Sequence, residues 1–246
     1  MNDTRISHGS AGLAIEHAPV SVAMDSIVMD SIAMDSIRLE GDLSVPTAPT
    51  GAVLFAHGSG SSRHSPRNRY VADVLNEGGL ATLLIDLLTA DEQEVDLQTA
   101  HLRFDIPFLA RRLETITKWL STHPEVRDLK LGHFGASTGA AAALAAAAEL
   151  PHLVSAVVSR GGRPDLAGAA LARVEAPTLL IVGAADPVVL DLNRKALALL
   201  RCEKQLRIIP GAGHLFQESG ALQKVSVLAR DWFLSKLANP AAAPSR

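Results

Sequence analysis

From position 37 to position 237 short apolar runs alternate with stretches of helical period, and this alternation sets the expected architecture. The runs 37–45, 52–56, 81–86, 129–134, 154–159, 178–182 and 205–209 have strand length and are rich in β-branched residues or leucine. Segments 69–76, 107–121, 138–149, 190–200 and 222–237 place their apolar residues at helical spacing between most of those runs. Val53-Leu54-Phe55 and Leu179-Leu180-Ile181-Val182 are apolar without interruption, as strands covered by helices on both faces must be. The pattern predicts an α/β fold: a doubly wound, mostly parallel sheet flanked by helices. In such sheets ligands bind beyond the carboxyl ends of the strands, which is where chemistry is expected.

The chain before this region behaves differently. Residues 24–38 repeat the pentapeptide Met-Asp-Ser-Ile-X three times, and a period of five matches neither a strand face nor a helix face. Residues 1–36 are therefore expected to form an N-terminal arm or edge strand carrying a local duplication, with docking or homodimerisation as the functional alternative. Residues 37–238 form the predicted α/β domain and 239–246 a flexible tail.

Composition narrows the partners. A formal charge of -3 gives no basic field for nucleic acid or an anionic membrane, so a small molecule is the expected partner. The single cysteine, Cys202, excludes an intramolecular disulfide and fits a cytoplasmic setting. No leader is expected, and the longest apolar stretch, 140–150, falls short of the roughly 20 residues that cross a bilayer. The histidines carry no metal spacing, and no phosphate-binding glycine motif follows a strand, so neither metal nor other cofactor is expected.

Gly135-Ala136-Ser137-Thr138-Gly139 follows the 129–134 run and opens the alanine-rich helix. A sharp strand-to-helix turn there exposes the serine hydroxyl at a helix N-terminus, where the dipole favours developing negative charge. The 178–182 run leads to Asp186 and the 205–209 run to His214, so Ser, Asp and His occur in that chain order, each just after a strand. Ser137 is read as nucleophile, His214 as general base and Asp186 as the carboxylate that orients it, since a neutral hydroxyl requires an adjacent base. The backbone N–H of Thr138 and one from the loop after 52–56, at Ser59 or alternatively Gly60, are expected to hold the oxyanion.

On these residues, together with His57-Gly58 and Gly213-His214, the chain from about 37 to 237 resembles the dienelactone-hydrolase-like α/β-hydrolases. It departs from dienelactone hydrolases at the elbow, where they carry cysteine and this chain carries Ser137. Cys202 lies away from the elbow and reads as packing. The resemblance implies a serine hydrolase that cleaves a small carboxylic ester through an acyl-enzyme. Thioesterase, lactonase, and acyltransfer or perhydrolysis on the same residues remain open, as does a non-catalytic ligand-binding protein on this fold. Only 18 residues separate positions 159 and 178, which leaves no room for a large cap domain. The acidic stretch 88–105 reads as a solvated loop, with a cover over the site as the alternative. His57, Arg63 and Arg160 are the expected substrate contacts, the arginines as holders of an anionic group.

Overall fold

A computed structural model describes residues 5–8 (as backbone), 13–24 and 37–238. Nine strands form one sheet: β1 Arg5–His8, β2 Ala14–Ala23, β3 Arg38–Pro46, β4 Ala52–Ala56, β5 Ala81–Ile85, β6 Leu131–Ala136, β7 Val154–Arg160, β8 Thr178–Gly183 and β9 Lys204–Ile209. Their order is β1-β2-β3-β5-β4-β6-β7-β8-β9, antiparallel from β1 to β5 and parallel from β5 onward. β4, β5, β6 and β8 are buried at every position, which explains why they are apolar apart from Thr82, His133 and Thr178. Of the pentapeptide repeats only Met24, Ile37 and Arg38 fall within the described residues, and the 239–246 tail lies outside them. β2 pairs with β3 from Ile15↔Pro46 to Ala23↔Arg38, burying Ile15 and Val22 at this antiparallel end of the sheet.

Helices cover both faces. On one, α1 Pro66–Glu77 and α6 Ala221–Leu237 pack over Phe55, Phe134 and Val158. On the other, α3 Ile106–Thr122 and α4 Thr138–Glu149 cover Leu54, Leu83 and Leu131. The alanines of α4 leave it narrow enough for Ala140 to Leu144 to be fully buried against the sheet. α5 Pro187–Leu199 flanks β8 and β9. The link between β7 and β8 is the 3-10 stretch Pro164–Arg173, so no cap domain enters there.

Residues 88–105 correct the solvated-loop reading. They contain α2 Ala90–Thr99, begun by a capping box in which Thr89 and Glu92 satisfy each other's backbone N–H. Glu92 then holds Arg112 of α3 through two contacts of 2.6 Å. Asp96 is 2% exposed and accepts from Leu102 N–H at 2.8 Å and Arg103 Nε at 2.5 Å. Burial works to raise the Asp96 carboxyl, yet these donors hold it below the usual range.

A buried histidine on β6 gives the fold an acid limit. The His133 Nδ1–H donates to Ala143 O at 3.2 Å, and Nε2 meets the Thr117 hydroxyl at 2.9 Å. Desolvation lowers this imidazole from 6.5 to about 4, and burial also lowers His57. Between those two pH values the unfolded chain binds a proton that the folded chain refuses. The contribution is complete above pH 6.5 and is lost as pH falls, by about 3 kcal/mol at pH 4 for His133 alone. Urea unfolding at steps from pH 7.5 to 4.5 should show the decline beginning below pH 6.5; a flat profile down to pH 5 contradicts it.

Candidate active site

Ser137 leaves β6 and enters α4 with φ 51° and ψ -122°, a left-handed conformation unusual for a residue with a side chain. The flanking glycines explain how the chain tolerates the turn. A Cβ at Gly135 would lie 2.4 Å from Ala140 Cα, and one at Gly139 would lie 2.3 Å from Ala56 O and 2.4 Å from His57 O. Helix and sheet thus touch backbone to backbone at the elbow. Ser137 makes no side-chain cap bond to α4, which rules out a simple helix cap as its purpose. Among the described residues its hydroxyl has no hydrogen bond, so it can turn toward an incoming base.

Asp186 caps α5, with Oδ1 accepting from Val189 N–H at 3.4 Å, and its Oδ2 meets His214 Nδ1 at 2.8 Å. A carboxylate there fixes the hydrogen on Nδ1 and leaves Nε2 as the basic nitrogen. The two loops are bound together by Ala184 N–H to Ile209 O and Ala185 N–H to Ala212 O, both at 2.9 Å. Buried Phe216, at φ 54°, anchors the histidine loop from beneath. Segment 160–163 joins this unit to the elbow: Ser137 N–H donates to Arg160 O at 3.3 Å, and Arg163 N–H to Ser137 O at 3.0 Å. Gly161 lies so close that a Cβ would be 3.0 Å from His214 O and 3.6 Å from His214 Nδ1. Ser137, Asp186 and His214 are therefore gathered at one edge of the sheet.

The other expected contacts divide. The Thr138 N–H, at the first position of α4, has no acceptor within its own helix. Ser59 N–H already donates to Thr138 Oγ1 at 2.9 Å, so it is not an open oxyanion donor; Gly60, with φ 67°, uses its N–H for no bond among the described residues. His57 lines the cavity beside this loop, and its ring is also a strut: its Nδ1 faces Gly58 O at 3.0 Å and its Nε2 accepts from Leu87 N–H at 3.0 Å. With both nitrogens engaged by backbone, the ring offers a ligand only its edge.

Arg63 is corrected: its guanidinium pairs with Asp86, and its backbone N–H donates to the same carboxylate at 2.7 Å. Asp86, just after β5, is what holds the loop after β4. Arg160 is different, being 8% exposed with no carboxylate partner among the described residues. Cys202 sits half-buried near the Thr178 hydroxyl, and burial raises its thiol, so it is not activated.

A cavity of about 70 Å³ opens beside the 57–61 loop and Thr138, walled by Leu88, Gln93, Leu97 and Arg103. Residues 88–105 thus line the cavity, as the cover alternative has it; the sequence shows no helix there because α2 buries only Asp96 and has no apolar stripe, and the Thr89-x-x-Glu92 capping box was the available signal. No helix of the described residues is long and apolar enough to cross a membrane.

Comparisons with known proteins identify the family and the fold. The model of the dienelactone hydrolase family matches residues 46–233. A dienelactone hydrolase from Anabaena variabilis is 57% identical, with a TM-score of 0.80 over 89% of this chain and 99% of that one. Est1E from Butyrivibrio proteoclasticus, at 16% identity, shares the fold with a TM-score of 0.69 over 87% of this chain and 98% of that one. Two Mycobacterium tuberculosis proteins, each named "putative phosphoribosyl transferase", are 57% identical over 200 residues, 81% of this chain. The chain spans only 44% of the length of those curated relatives. Fold, elbow and family match converge: this chain belongs to the dienelactone hydrolase family.

Proposed function

We propose that the protein is a serine esterase that cleaves a small carboxylic ester through an acyl-enzyme intermediate. The observation that carries this reading is the Asp186–His214 hydrogen bond of 2.8 Å beside a serine held in a left-handed turn with its hydroxyl unengaged. Ser137 Oγ attacks the ester carbonyl as His214 Nε2 takes its proton, in a hydrogen bond that tightens once substrate is bound. Asp186 keeps the other ring hydrogen in place and favours the imidazolium. Negative charge moves to the carbonyl oxygen, which receives the Thr138 N–H and a second donor from the 58–60 loop. Gly60 supplies that donor directly; Ser59 would first have to release the Thr138 hydroxyl.

Collapse breaks the ester C–O bond, and the imidazolium returns the proton to the leaving alcohol. Water then repeats the sequence, His214 accepting its proton, and releases the acid and free Ser137. The α4 N-terminus at Ser137 lowers the energy of both tetrahedral anions. Neighbours at the family level are hydrolases, whereas the transferase name belongs to proteins more than twice as long as the matched segment.

A fluorophosphonate probe tests the nucleophile. The native chain should label at Ser137 and Ser137→Ala should not. Folded native protein that stays unlabelled and hydrolyses no ester in a panel of varied acyl length rules the esterase out.

A further inference from the structure

We propose that the side-chain hydroxyl of Thr138 is a third oxyanion donor, polarised by the Ser59 N–H that it accepts. The inference rests on the esterase reading and adds a catalytic residue to it, distinct from the two backbone N–H groups that hold the tetrahedral anion.

The loop facing this hydroxyl is braced at nearly every backbone group. Gly58 to Ser61 is a turn closed by Ser61 N–H to Gly58 O at 3.2 Å, its third residue Gly60 at φ 67°. Gly58 O also receives His57 Nδ1–H at 3.0 Å, and Leu87 N–H holds the far side of that ring. A Cβ on Gly58 would lie 3.0 Å from the Ser137 Cβ, so the turn rests against the nucleophile. Within it Ser59 N–H donates to Thr138 Oγ1 at 2.9 Å, while Gly60 N–H donates to nothing among the described residues. The Thr138 hydroxyl thus belongs to the residue that supplies one backbone donor and touches the neighbour of the other.

A hydroxyl has one hydrogen to give and two lone pairs. Ser59 N–H takes up a lone pair, and among the described residues the Thr138 hydrogen goes to no acceptor. Ser137, not Thr138, holds the cap position of α4, so the hydroxyl is not spent on capping. Thr138 is 3% exposed, and the space it borders is the cavity it shares with Gly58, Ser59 and Gly60. A carbonyl oxygen that receives the Thr138 N–H therefore comes up against the hydroxyl of the same residue.

Charge growing on that oxygen is met by a hydroxyl that Ser59 N–H has already polarised, and in a buried site such linked bonds strengthen one another. Ser59 N–H so contributes to the anion without touching it. The hydroxyl gives a hydrogen bond and no proton; the proton that moves in each addition step is the one His214 takes.

The test uses p-nitrophenyl acetate with Thr138→Val, which removes the hydroxyl and keeps the branched shape, and Thr138→Ser, which keeps the hydroxyl. In Thr138→Val kcat and kcat/KM should fall together, by about 10²- to 10³-fold, the loss of one oxyanion donor. Thr138→Ser should stay within about tenfold of native. A trifluoromethyl ketone separates a donor from a mere holder of Ser59. Ser137 Oγ adds to its carbonyl carbon, His214 takes the proton, and the adduct carries the same oxyanion. Its affinity should fall with kcat/KM in Thr138→Val, and a crystal structure of the native adduct should place the oxyanion within about 3 Å of Thr138 Oγ1. A kcat within about threefold of native in Thr138→Val overturns the proposal, as does an oxyanion more than about 3.5 Å from Thr138 Oγ1. Should Thr138→Val fail to fold, Thr138→Ala and the adduct structure carry the comparison. Native protein that neither labels at Ser137 with fluorophosphonate nor hydrolyses an ester removes the esterase and the donor with it. Active native enzyme with an unaffected Thr138→Val removes the donor alone.

Discussion

Ser137→Ala and His214→Ala are each expected to lower kcat/KM for a p-nitrophenyl ester by about four to six orders of magnitude, with the urea midpoint nearly unchanged. Neither side chain is needed for the fold. The Ser137 hydroxyl bonds to nothing among the described residues, and His214 is 38% exposed, bonded by its side chain only to Asp186. Combining the two should cost little more than either alone, because nucleophile and base act as one unit. Asp186→Asn should cost about 10⁴-fold by presenting the wrong tautomer to Ser137, while also weakening the cap of α5. Stopped assays with protein quantified by active-site titration provide the check; His214→Ala within tenfold of native would transfer the base role to another group.

Gly139→Val is expected to abolish folding, and Gly139→Ala to remove about 4 kcal/mol or more, a large share of a domain's usual stability. The added carbon would lie 2.3 Å and 2.4 Å from two carbonyl oxygens of the β4 end, rigid backbone that cannot swing aside. Relief would require α4 to lift from the sheet and drag Ser137 with it. Gly211→Ala is the control. Its φ is 71° but nothing lies within 4 Å of the new carbon, so only about 1 kcal/mol of backbone strain is expected. Urea midpoints of the two alanine variants give the comparison, and a loss at Gly139 no larger than that at Gly211 would mean that α4 and the β4 end can part at little cost.

What could be read from the sequence follows the physics of each element. Interior strands announced themselves because both their faces are buried, and β4 and α4 were bounded to the residue. The elbow, Asp186 and His214 were legible because turn chemistry and strand ends are local properties. α2 escaped because it is held by Glu92 and Asp96 rather than by an apolar stripe. The arginines could be placed near the site but not sorted. Arg63 meets Asp86 across 23 positions, whereas the Arg160 guanidinium meets no carboxylate among the described residues, a difference that only folding together β4, β5 and β7 reveals. The bond from Leu87 N–H that braces the His57 ring, 30 positions away, is likewise invisible in the sequence.

The way α2 is fastened has a thermodynamic consequence. Of its ten residues only Asp96 is buried, and its anchors are the contacts of Glu92 with Arg112 and of Asp96 with Arg103. Detaching it would uncover little apolar surface, so that opening carries a small heat capacity and a shallow denaturant slope. Unfolding the sheet beneath carries large values of both. Passage through this wall of the cavity and survival of the core thus answer to different solution variables, proton and salt activity for the first, temperature and denaturant for the second.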